Sequence, residues 1–272
     1  MLSVNFYLIF VLMKIDEKLL KITFLGTGTS QGIPMIASND PVCLSKDSKD
    51  KRLRSSVLIS YKDKTYVIDC GPDFRQQMLR EEVQLINGVL FTHEHADHTA
   101  GLDDLRPFCY KIGEMPIFLD QKTLDSLEQR FQYIFSKENR YPGAPSEMSN
   151  VVKKEPFFID DLEITPINIL HGNLPILGYR ILDIAYLTDV KTISEEEKKK
   201  LKNLDVLIVN ALRIESHPTH FNLQEALDFV KELKPQRTYF THISHKLGFH
   251  EEVSKILPEN VFLAFDGLKI ES

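Results

Sequence analysis

Short apolar runs alternate along this chain with segments that place an apolar residue at every third or fourth position. The runs are rich in β-branched and aromatic residues and predict strands, which we place at Ile22–Leu25, Val57–Tyr61, Thr65–Asp69, Val89–Thr92, Ile117–Leu119, Gly178–Leu182, Val206–Asn210, Thr238–Thr241 and Val261–Phe265. The helical segments lie at Asp73–Leu79, Ala100–Leu105, Thr123–Phe131, Ser194–Lys202, Leu223–Leu233 and Glu251–Leu257. The early strands are joined by tight turns, whereas the later strands each follow a helix, so we expect mixed sheets in an α/β fold.

Two segments stand outside this alternation. Tyr133–Lys154 is long and irregular, which predicts a functional loop or a mobile insertion. Leu2–Met13 is apolar but too short to span a bilayer, and no basic residue precedes it, so it is not typical of a signal peptide. We expect residues 1–20 to form an N-terminal extension, either loosely held or translated from an upstream start codon, and residues 21–272 to form one domain.

The composition is that of a globular protein that works in a reducing compartment. Of the 272 residues 43% are apolar and 26% are charged, which provides a sizeable core and excludes collagen-like and disordered chains. The 39 acidic and 33 basic residues give a net charge of −6, which does not favour bulk adsorption to nucleic acid or to an anionic membrane. The three cysteines, Cys43, Cys70 and Cys109, lack the spacing of a disulfide framework. We therefore expect a cytoplasmic protein that does not bind membranes.

The strongest chemical signal is a cluster of histidines between a predicted strand and a predicted helix. His93, His95, Asp97 and His98 follow directly on Val89–Thr92. Ligands converge at the carboxyl ends of strands in α/β sheets, and imidazole nitrogens together with a carboxylate suit a divalent metal ion. Solvated surface histidines are the alternative, but the ordered His-x-His-x-Asp-His spacing favours a metal site. Because the cluster contains no thiolate, it favours an open, catalytic centre over a structural one.

The segment Thr92–His98, with the sequence THEHADH, resembles the signature of the metallo-β-lactamase superfamily. The resemblance implies an αββα four-layer sandwich with mixed sheets and two metal ions at the sheet edges. Zn²⁺ is the metal expected first, and Mn²⁺ also suits such a donor set. The resemblance implies that Asp189 bridges the two metal ions. The full set of implied ligands is His93, His95, Asp97, His98, His171, Asp189 and His242.

Two further residues complete the site that the resemblance implies. Asp69 matches a buried aspartate that supports the histidine turn by hydrogen bonds. His220 matches a histidine that acts as the proton donor in the phosphodiesterase branch, and it precedes the predicted helix Leu223–Leu233, for which Asn222 is a good N-cap. A loop histidine bound to the backbone is the alternative for His220, and more so for His217. Two divalent ions can present a bridging hydroxide to the substrate. Because Asp97 is an implied ligand of one of these ions, we count it as part of the catalytic set as well.

A closer likeness lies in three segments, Gly26–Pro34, Thr92–Phe108 and Phe265–Leu268. They resemble the group that contains PhnP, the phosphoribosyl cyclic phosphate phosphodiesterase, and imply hydrolysis of a small cyclic or simple phosphodiester. Gly26–Pro34 does not match a dinucleotide fingerprint, because its third glycine comes one place late and a proline follows. A tRNase Z-like endoribonuclease and a non-enzymatic or redox metal-binding relative remain the alternatives. Nucleic acid is therefore the less favoured partner, and a homodimer stays open.

The chain departs from the PhnP-like pattern at a second metal site. Members of that group often carry a structural zinc, held by a Cys-x-Cys-x-x-Cys run and by a histidine three residues after the last catalytic ligand. The matching positions here are Ser38, Asp40, Cys43 and His245. Only one thiolate remains, and a serine hydroxyl is a poor zinc ligand near neutral pH. We therefore expect this zinc to be lost and two metal ions to bind per chain.

Overall fold

The computed structural model describes residues 20–136, 138 and 141–272. Its strands are β1 (Leu20–Gly26), β2 (Ser56–Tyr61), β3 (Lys64–Ile68), β4 (Gly88–Leu90), β5 (Met115–Leu119), β6 (Glu147–Val151), β7 (Phe157–Ile159), β8 (Leu162–His171), β9 (Leu174–Ile181), β10 (Ile184–Leu187), β11 (Thr192–Ile193), β12 (Val206–Asn210), β13 (Arg237–Thr241), β14 (Val261–Leu263) and β15 (Lys269–Glu271). Its α-helices are α1 (Pro41–Leu44), α2 (Phe74–Arg80), α3 (Ala96–Thr99), α4 (Arg106–Ile112), α5 (Gln121–Arg130), α6 (Gln132–Phe135), α7 (Glu195–Lys199), α8 (Leu223–Leu233) and α9 (His250–Ser254). The extension predicted for residues 1–20 lies outside the described residues except for Leu20, which begins β1.

Two mixed sheets form the middle of the fold. The first has the order β15-β1-β2-β3-β4-β5-β6, antiparallel from β15 to β3 and parallel from β3 to β6. The second has the order β11-β8-β9-β10-β12-β13-β14, antiparallel from β11 to β10 and parallel from β10 to β14, and β7 pairs with β8. The parallel half of each sheet brings the carboxyl ends of its strands to one edge.

Three hydrophobic clusters divide the molecule into four layers. Tyr66 of β3 and Tyr179 of β9 belong to the cluster between the two sheets. Val67, the next residue along β3, faces the opposite way and packs in the cluster that contains Phe74 of α2, as the two-residue period of a strand requires. On the far side, Leu207 of β12 shares a cluster with Phe229 of α8. The order helix, sheet, sheet, helix confirms the predicted αββα sandwich, and burial of each such side chain contributes about 1.5–3 kcal/mol.

Strand β8, which the apolar pattern does not indicate, is interrupted in sequence by Pro166. The backbone carbonyl of Pro166 accepts from Nζ of Lys200 at 3.1 Å, so the N–H side of this residue points away from β9. On that side β7 pairs only with residues 162–164 and β11 only with residues 169–170. The missing N–H of proline therefore costs no ladder hydrogen bond, and a strand that sequence rules would break continues through it.

The interpretation of Tyr133–Lys154 as an irregular loop is wrong for part of its length. It contains most of α6 and the whole of β6, which pairs in parallel with β5. β6 lies at the end of its sheet and has no apolar alternation, because none of its residues is buried. Backbone pairing with β5 forms this strand, and such pairing leaves no signal in the pattern of side chains.

The glycines of the first loop serve backbone packing. A Cβ atom on Gly26 would lie 1.9 Å from the carbonyl oxygen of Arg54, and one on Gly28 would lie 2.8 Å from that of Arg52. They let the chain after β1 pass against the segment that leads into β2, which agrees with the rejection of a dinucleotide fingerprint. None of the helices formed by the described residues has the length and apolar character needed to cross a bilayer.

Candidate metal centre

The histidine cluster forms the turn between β4 and α3 at the edge of the first sheet. Helix α3 covers Ala96–Thr99, directly before the predicted helix Ala100–Leu105, so Asp97 and His98 lie within α3, whereas Leu102–Leu105 form a 3-10 helix. His98 is buried, Asp97 is half-buried, and His95 is exposed. This helical turn brings Asp97 and His98 back towards the end of β4, close to the buried His93.

The downstream residues reach the same place from the second sheet. His171 ends β8, Asp189 lies two residues after β10, and His242 follows β13 directly. Ligand atoms within 4.8 Å of one another define four groups, which are His93, His95 and His171; His93, His98 and Asp189; Asp97, His98 and His242; and His171, Asp189 and His220. The structure therefore brings together all the predicted ligands and adds His220 to them.

Hydrogen bonds on the far side of each ring orient the imidazoles. Nδ1 of His98 donates to Oδ2 of Asp69 at 2.7 Å, and Nδ1 of His171 donates to the carbonyl of Thr219 at 2.8 Å. Thr92 donates its hydroxyl to Asp69, and its oxygen is 3.0 Å from Nδ1 of His93. In each ring this hydrogen bond occupies Nδ1, so Nε2 is the nitrogen that remains for a metal ion.

These Nε2 atoms fit a metal ion because the protein leaves them without hydrogen bonds. Nε2 of His93, Nε2 of His98 and both ring nitrogens of His242 are buried with no hydrogen-bond partner among the described residues. Carboxylate oxygens lie near, at 3.1 Å from His98 to Asp97 and at 3.2 Å from His242 to Asp189, but without hydrogen-bond geometry. Buried polar atoms are normally paired, so these atoms are best explained as ligands.

The charges of the centre also call for a cation. Burial alone would raise the pKa of Asp189, but the imidazoles of His242 and His98 outweigh it and hold this pKa well below the usual range. Burial opposes charge on His98, but Asp97, Asp69 and Asp189 raise the pKa of His98 well above its usual value. Burial lowers the pKa of His93 and keeps that ring neutral. A divalent cation can replace the proton that the carboxylates hold on His98.

His220 lies inside this cluster. Its Nε2 is 2.9 Å from Oδ1 of Asp189, and its Nδ1 is 2.9 Å from Oγ1 of Thr219 and 3.1 Å from Nδ1 of His217. Burial lowers the pKa of His220 to about 4 although Asp189 opposes the shift. As predicted, Asn222 caps α8: it accepts from the N–H of Glu225 at 2.8 Å, and Glu225 accepts from the N–H of Asn222 at 2.9 Å. This capping box fixes where the helix begins and with it the loop that carries His220.

Three residues that support the candidate metal centre were not predicted from the sequence. Thr92 and Thr219 orient histidines as described above, and Asn210, at the end of β12, holds the backbone of Val190 through hydrogen bonds at 2.6 and 3.2 Å. A buried asparagine that ends the apolar run Val206–Val209 was the available signal, since buried polar groups need a partner.

The residues of the degenerate zinc site have other roles. Asp40 caps α1 by accepting from the N–H of Val42 at 2.9 Å, and Ser38 accepts from the N–H of Asp40 at 3.2 Å. The buried Sγ of Cys43 accepts from the N–H of Met35 at 3.4 Å. None of these residues, nor His245, belongs to the four donor groups found in the described part of the chain.

Comparison with known proteins places the chain in a family. A family model described as "Beta-lactamase superfamily domain" matches residues 64–243, well over half of the sequence. The chain belongs to the metallo-β-lactamase superfamily. A crystal structure of a diphosphatase from the PhnP family superposes on this chain with a TM-score of 0.87 and 39% identity, over 93% of this chain and 98% of that one. The predicted resemblance is confirmed, and the protein is a PhnP-like, metal-dependent hydrolase.

Two curated proteins are also similar to this chain. An octanoyltransferase of Porphyromonas gingivalis is 42% identical over 248 residues, which are 90% of this chain but 50% of that protein. The chain thus spans about half the length of this relative. A ribonuclease Z of Borreliella afzelii is 21% identical over 294 residues, covering 81% of this chain and 92% of that protein.

Proposed function

We propose that this protein is a two-metal phosphodiesterase that hydrolyses a small cyclic or simple phosphodiester. The observation that carries the proposal is the set of buried, unpaired Nε2 atoms of His93, His98 and His242, which converge around Asp189 and Asp97. The ligands would be His93, His95 and His171 on one side and Asp97, His98 and His242 on the other, with Asp189 between them. Zn²⁺ is our first choice of metal, and Mn²⁺ our second.

When bound, the metal ions would activate water and neutralise charge on a phosphoryl oxygen. The chain supplies orientation and a proton. Asp69 holds His98 through Nδ1, and Thr219 holds His171 in the same way. We assign Asp97, which is half-buried, to the catalytic set together with His220.

We assign to His220 the protonation of the leaving oxygen. A phosphodiester at the centre adds negative charge beside the ring, which favours its protonated form. Nδ1 of His217, 3.1 Å from Nδ1 of His220, then accepts one ring proton in a hydrogen bond. The Nε2 proton faces the centre, beside Asp189, and is the one that passes to the leaving oxygen.

The similar PhnP-family diphosphatase supports a phosphorus substrate, because its likeness extends over nearly all of both chains. Ribonuclease Z, at 21% identity, is the second candidate and would make RNA the substrate. The similar octanoyltransferase is twice as long as the part of it that this chain matches. Because this chain matches only half of that protein, we do not propose octanoyl transfer for it.

Hydrolysis of bis(p-nitrophenyl) phosphate by the metal-loaded protein tests the proposal. His95→Ala and Asp189→Ala should each abolish turnover, because each removes a ligand or the bridge. Asp183→Ala is the matched control, since Asp183 lies at the opposite end of β10 from Asp189 and is exposed. Turnover by both ligand variants at the rate of the control would refute the site, and faster cleavage of precursor tRNA than of small phosphodiesters would favour the second candidate.

A further inference from the structure

The ligands of the candidate metal centre come from two different sheets. Asp97 and His98 follow β4 of the first sheet, whereas His242 follows β13 of the second sheet. Metal–ligand distances tolerate deviations of only about 0.2 Å. The edges of the two sheets therefore have to be held in a fixed relation if these three side chains are to share one metal ion.

The loop after β1 holds the residue that follows His242. The N–H of Ile243 donates to the carbonyl of Thr27 at 2.9 Å, and the N–H of Thr29 donates to the carbonyl of Ile243 at 3.0 Å. His242 itself has a positive φ of 53°, and its buried ring nitrogens have no hydrogen bond among the described residues. The position of His242 therefore depends on the backbone bonds of its neighbours, and these two bonds connect it to the loop of the first sheet.

Thr27 belongs to a buried relay of three polar side chains, which are Thr27, Arg52 and Asp266. The hydroxyl of Thr27 donates to Oδ1 of Asp266 at 2.8 Å and accepts from Nη1 of Arg52 at 2.8 Å. Thr27 and Arg52 are buried, and the side chain of Asp266 is 9% exposed. A carboxylate only accepts and a guanidinium group only donates, so the direction of both bonds is fixed. Oδ2 of Asp266 accepts from the N–H of Leu53 at 2.8 Å, which engages the second oxygen as well.

Arg52 connects the buried relay to the second sheet. Its Nη1 also donates to the carbonyl of Ala264, directly after β14, at 2.5 Å, and its Nη2 is 3.1 Å from Nδ1 of His250. Burial lowers the pKa of Arg52 to about 10, so the guanidinium group stays charged near neutral pH. A buried polar group that loses its partner is costly, so a network of this kind keeps its members in one arrangement.

We propose that the buried relay positions His242 for a metal ion. The relay fixes Thr27, whose carbonyl holds the N–H of Ile243 and with it the backbone that presents the imidazole of His242. The proposal rests on the proposed function, because it assumes that His242 binds metal. The three members of the relay are positioning residues, since they lie outside the donor groups of the metal centre.

Replacing Thr27 by valine tests this role, because valine keeps the branched shape of threonine but removes both side-chain hydrogen bonds. Thr27→Ser keeps the hydroxyl and should behave like the wild type. Thr238→Val is the matched control. Thr238 lies near the amino end of β13, away from His242, and its buried hydroxyl has no hydrogen-bond partner among the residues that the structure describes.

Competition between the full-length, metal-free chain and a zinc chelator measures the affinity of each metal equivalent, and His242→Ala identifies the equivalent that depends on His242. In Thr27→Val this equivalent should bind about 10- to 100-fold more weakly, the range typical of groups that hold a metal ligand in place, while the other keeps its affinity. Asp266→Asn should show the same selective loss, because its amide has one acceptor oxygen for the two donors, Thr27 and Leu53. Should Thr27→Val fail to fold, Asp266→Asn decides by the same measurement.

Three results would overturn the proposal: zinc affinities of Thr27→Val equal to those of Thr238→Val, an equal loss of both equivalents, or a loss in Thr27→Ser as large as in Thr27→Val. If the wild type binds no metal, the proposed function fails, and hydrogen exchange decides whether the relay holds the residue after His242. Exchange of the Ile243 amide that is about 10-fold faster in Thr27→Val than in Thr238→Val would support the relay, and equal exchange would refute it.

Discussion

Replacing Asp69 by asparagine tests how the protein prepares His98 for a metal ion. In the structure Oδ1 of Asp69 accepts the backbone N–H of Thr92 at 2.8 Å, and Oδ2 accepts from Nδ1 of His98 at 2.7 Å. Asparagine has one acceptor oxygen and one NH₂ donor. If the oxygen keeps the bond to Thr92, the NH₂ group faces Nδ1 of His98, which must then accept. The ring proton moves to Nε2, and a protonated Nε2 cannot bind metal.

The opposite orientation of the asparagine side chain is unfavourable. It would restore the bond to His98 but set the NH₂ group against the N–H of Thr92, which leaves a buried donor unpaired at a cost of about 1–3 kcal/mol. Either way the centre loses metal affinity, and we expect a 10- to 100-fold decrease, the range typical of groups that hold a metal-binding histidine, which is about 1.4–2.7 kcal/mol.

The assay is competition between the metal-free protein and a zinc chelator, with Asp183→Asn as the control that makes the same chemical change at an exposed position. Long-range ¹H–¹⁵N correlation spectra of the histidine rings report which nitrogen of His98 carries the proton. The reasoning is refuted if Asp69→Asn binds zinc like the control while Nε2 of His98 stays unprotonated.

Three further outcomes follow from the structure. His220→Ala should keep its metal content yet slow esters with poor leaving groups by about 10²–10⁴-fold more than nitrophenyl esters; an equal loss on both excludes the acid role, and a lost metal equivalent makes His220 a ligand. Metal analysis should find two equivalents per chain, unchanged by Cys43→Ala, whereas a third equivalent that this substitution removes without loss of activity would contradict us. Burial, together with the Arg52 guanidinium group, lowers the pKa of His250 to about 4, so the stability that depends on a neutral His250 is present above about pH 6.5 and is lost as the pH falls towards 4. Between pH 7.5 and pH 5 we expect this effect to lower the free energy of unfolding by about 1–2 kcal/mol; urea unfolding of the metal-free protein at these two pH values should show a smaller loss for His250→Gln than for the wild type.

The sequence predicts the fold best where local signals and tertiary packing agree. Helix α8 has the predicted bounds, Leu223–Leu233, because its capping box and its apolar face specify the same segment. β8 was not predicted, because it contains Pro166, whose N–H side faces no partner strand. β6 was not predicted, because it forms only through backbone pairing with β5. A pattern of side chains carries no information on which backbone groups find a partner strand.

The candidate ligands were predictable because chemistry is visible in residue types, whereas their supports were not. Thr92, Thr219 and Asn210 act through one hydroxyl, one backbone carbonyl and one amide group. Nothing in a single sequence distinguishes Thr92 and Thr219 from other threonines in turns, and only Asn210 left a signal, as a polar residue that ends an apolar run. Asp69 was accessible only through the resemblance, and its bond to His98 agrees with the supporting role that the resemblance implies.

Three residues of the candidate metal centre have a backbone conformation that is unfavourable for residues other than glycine. Asp69, Asp189 and His242 each leave a strand with a positive φ, at 64°, 59° and 53°. Such a conformation costs a non-glycine residue about 1–3 kcal/mol, although aspartate and histidine tolerate it better than most. Asp69 and Asp189 recover this energy through hydrogen bonds to Thr92, His98 and Thr188. His242 has no such compensation in the described residues, because both of its ring nitrogens are buried without a hydrogen bond. A metal ion bound by this histidine would offset both the strain and the desolvation, so we expect metal binding to stabilise the loop after β13.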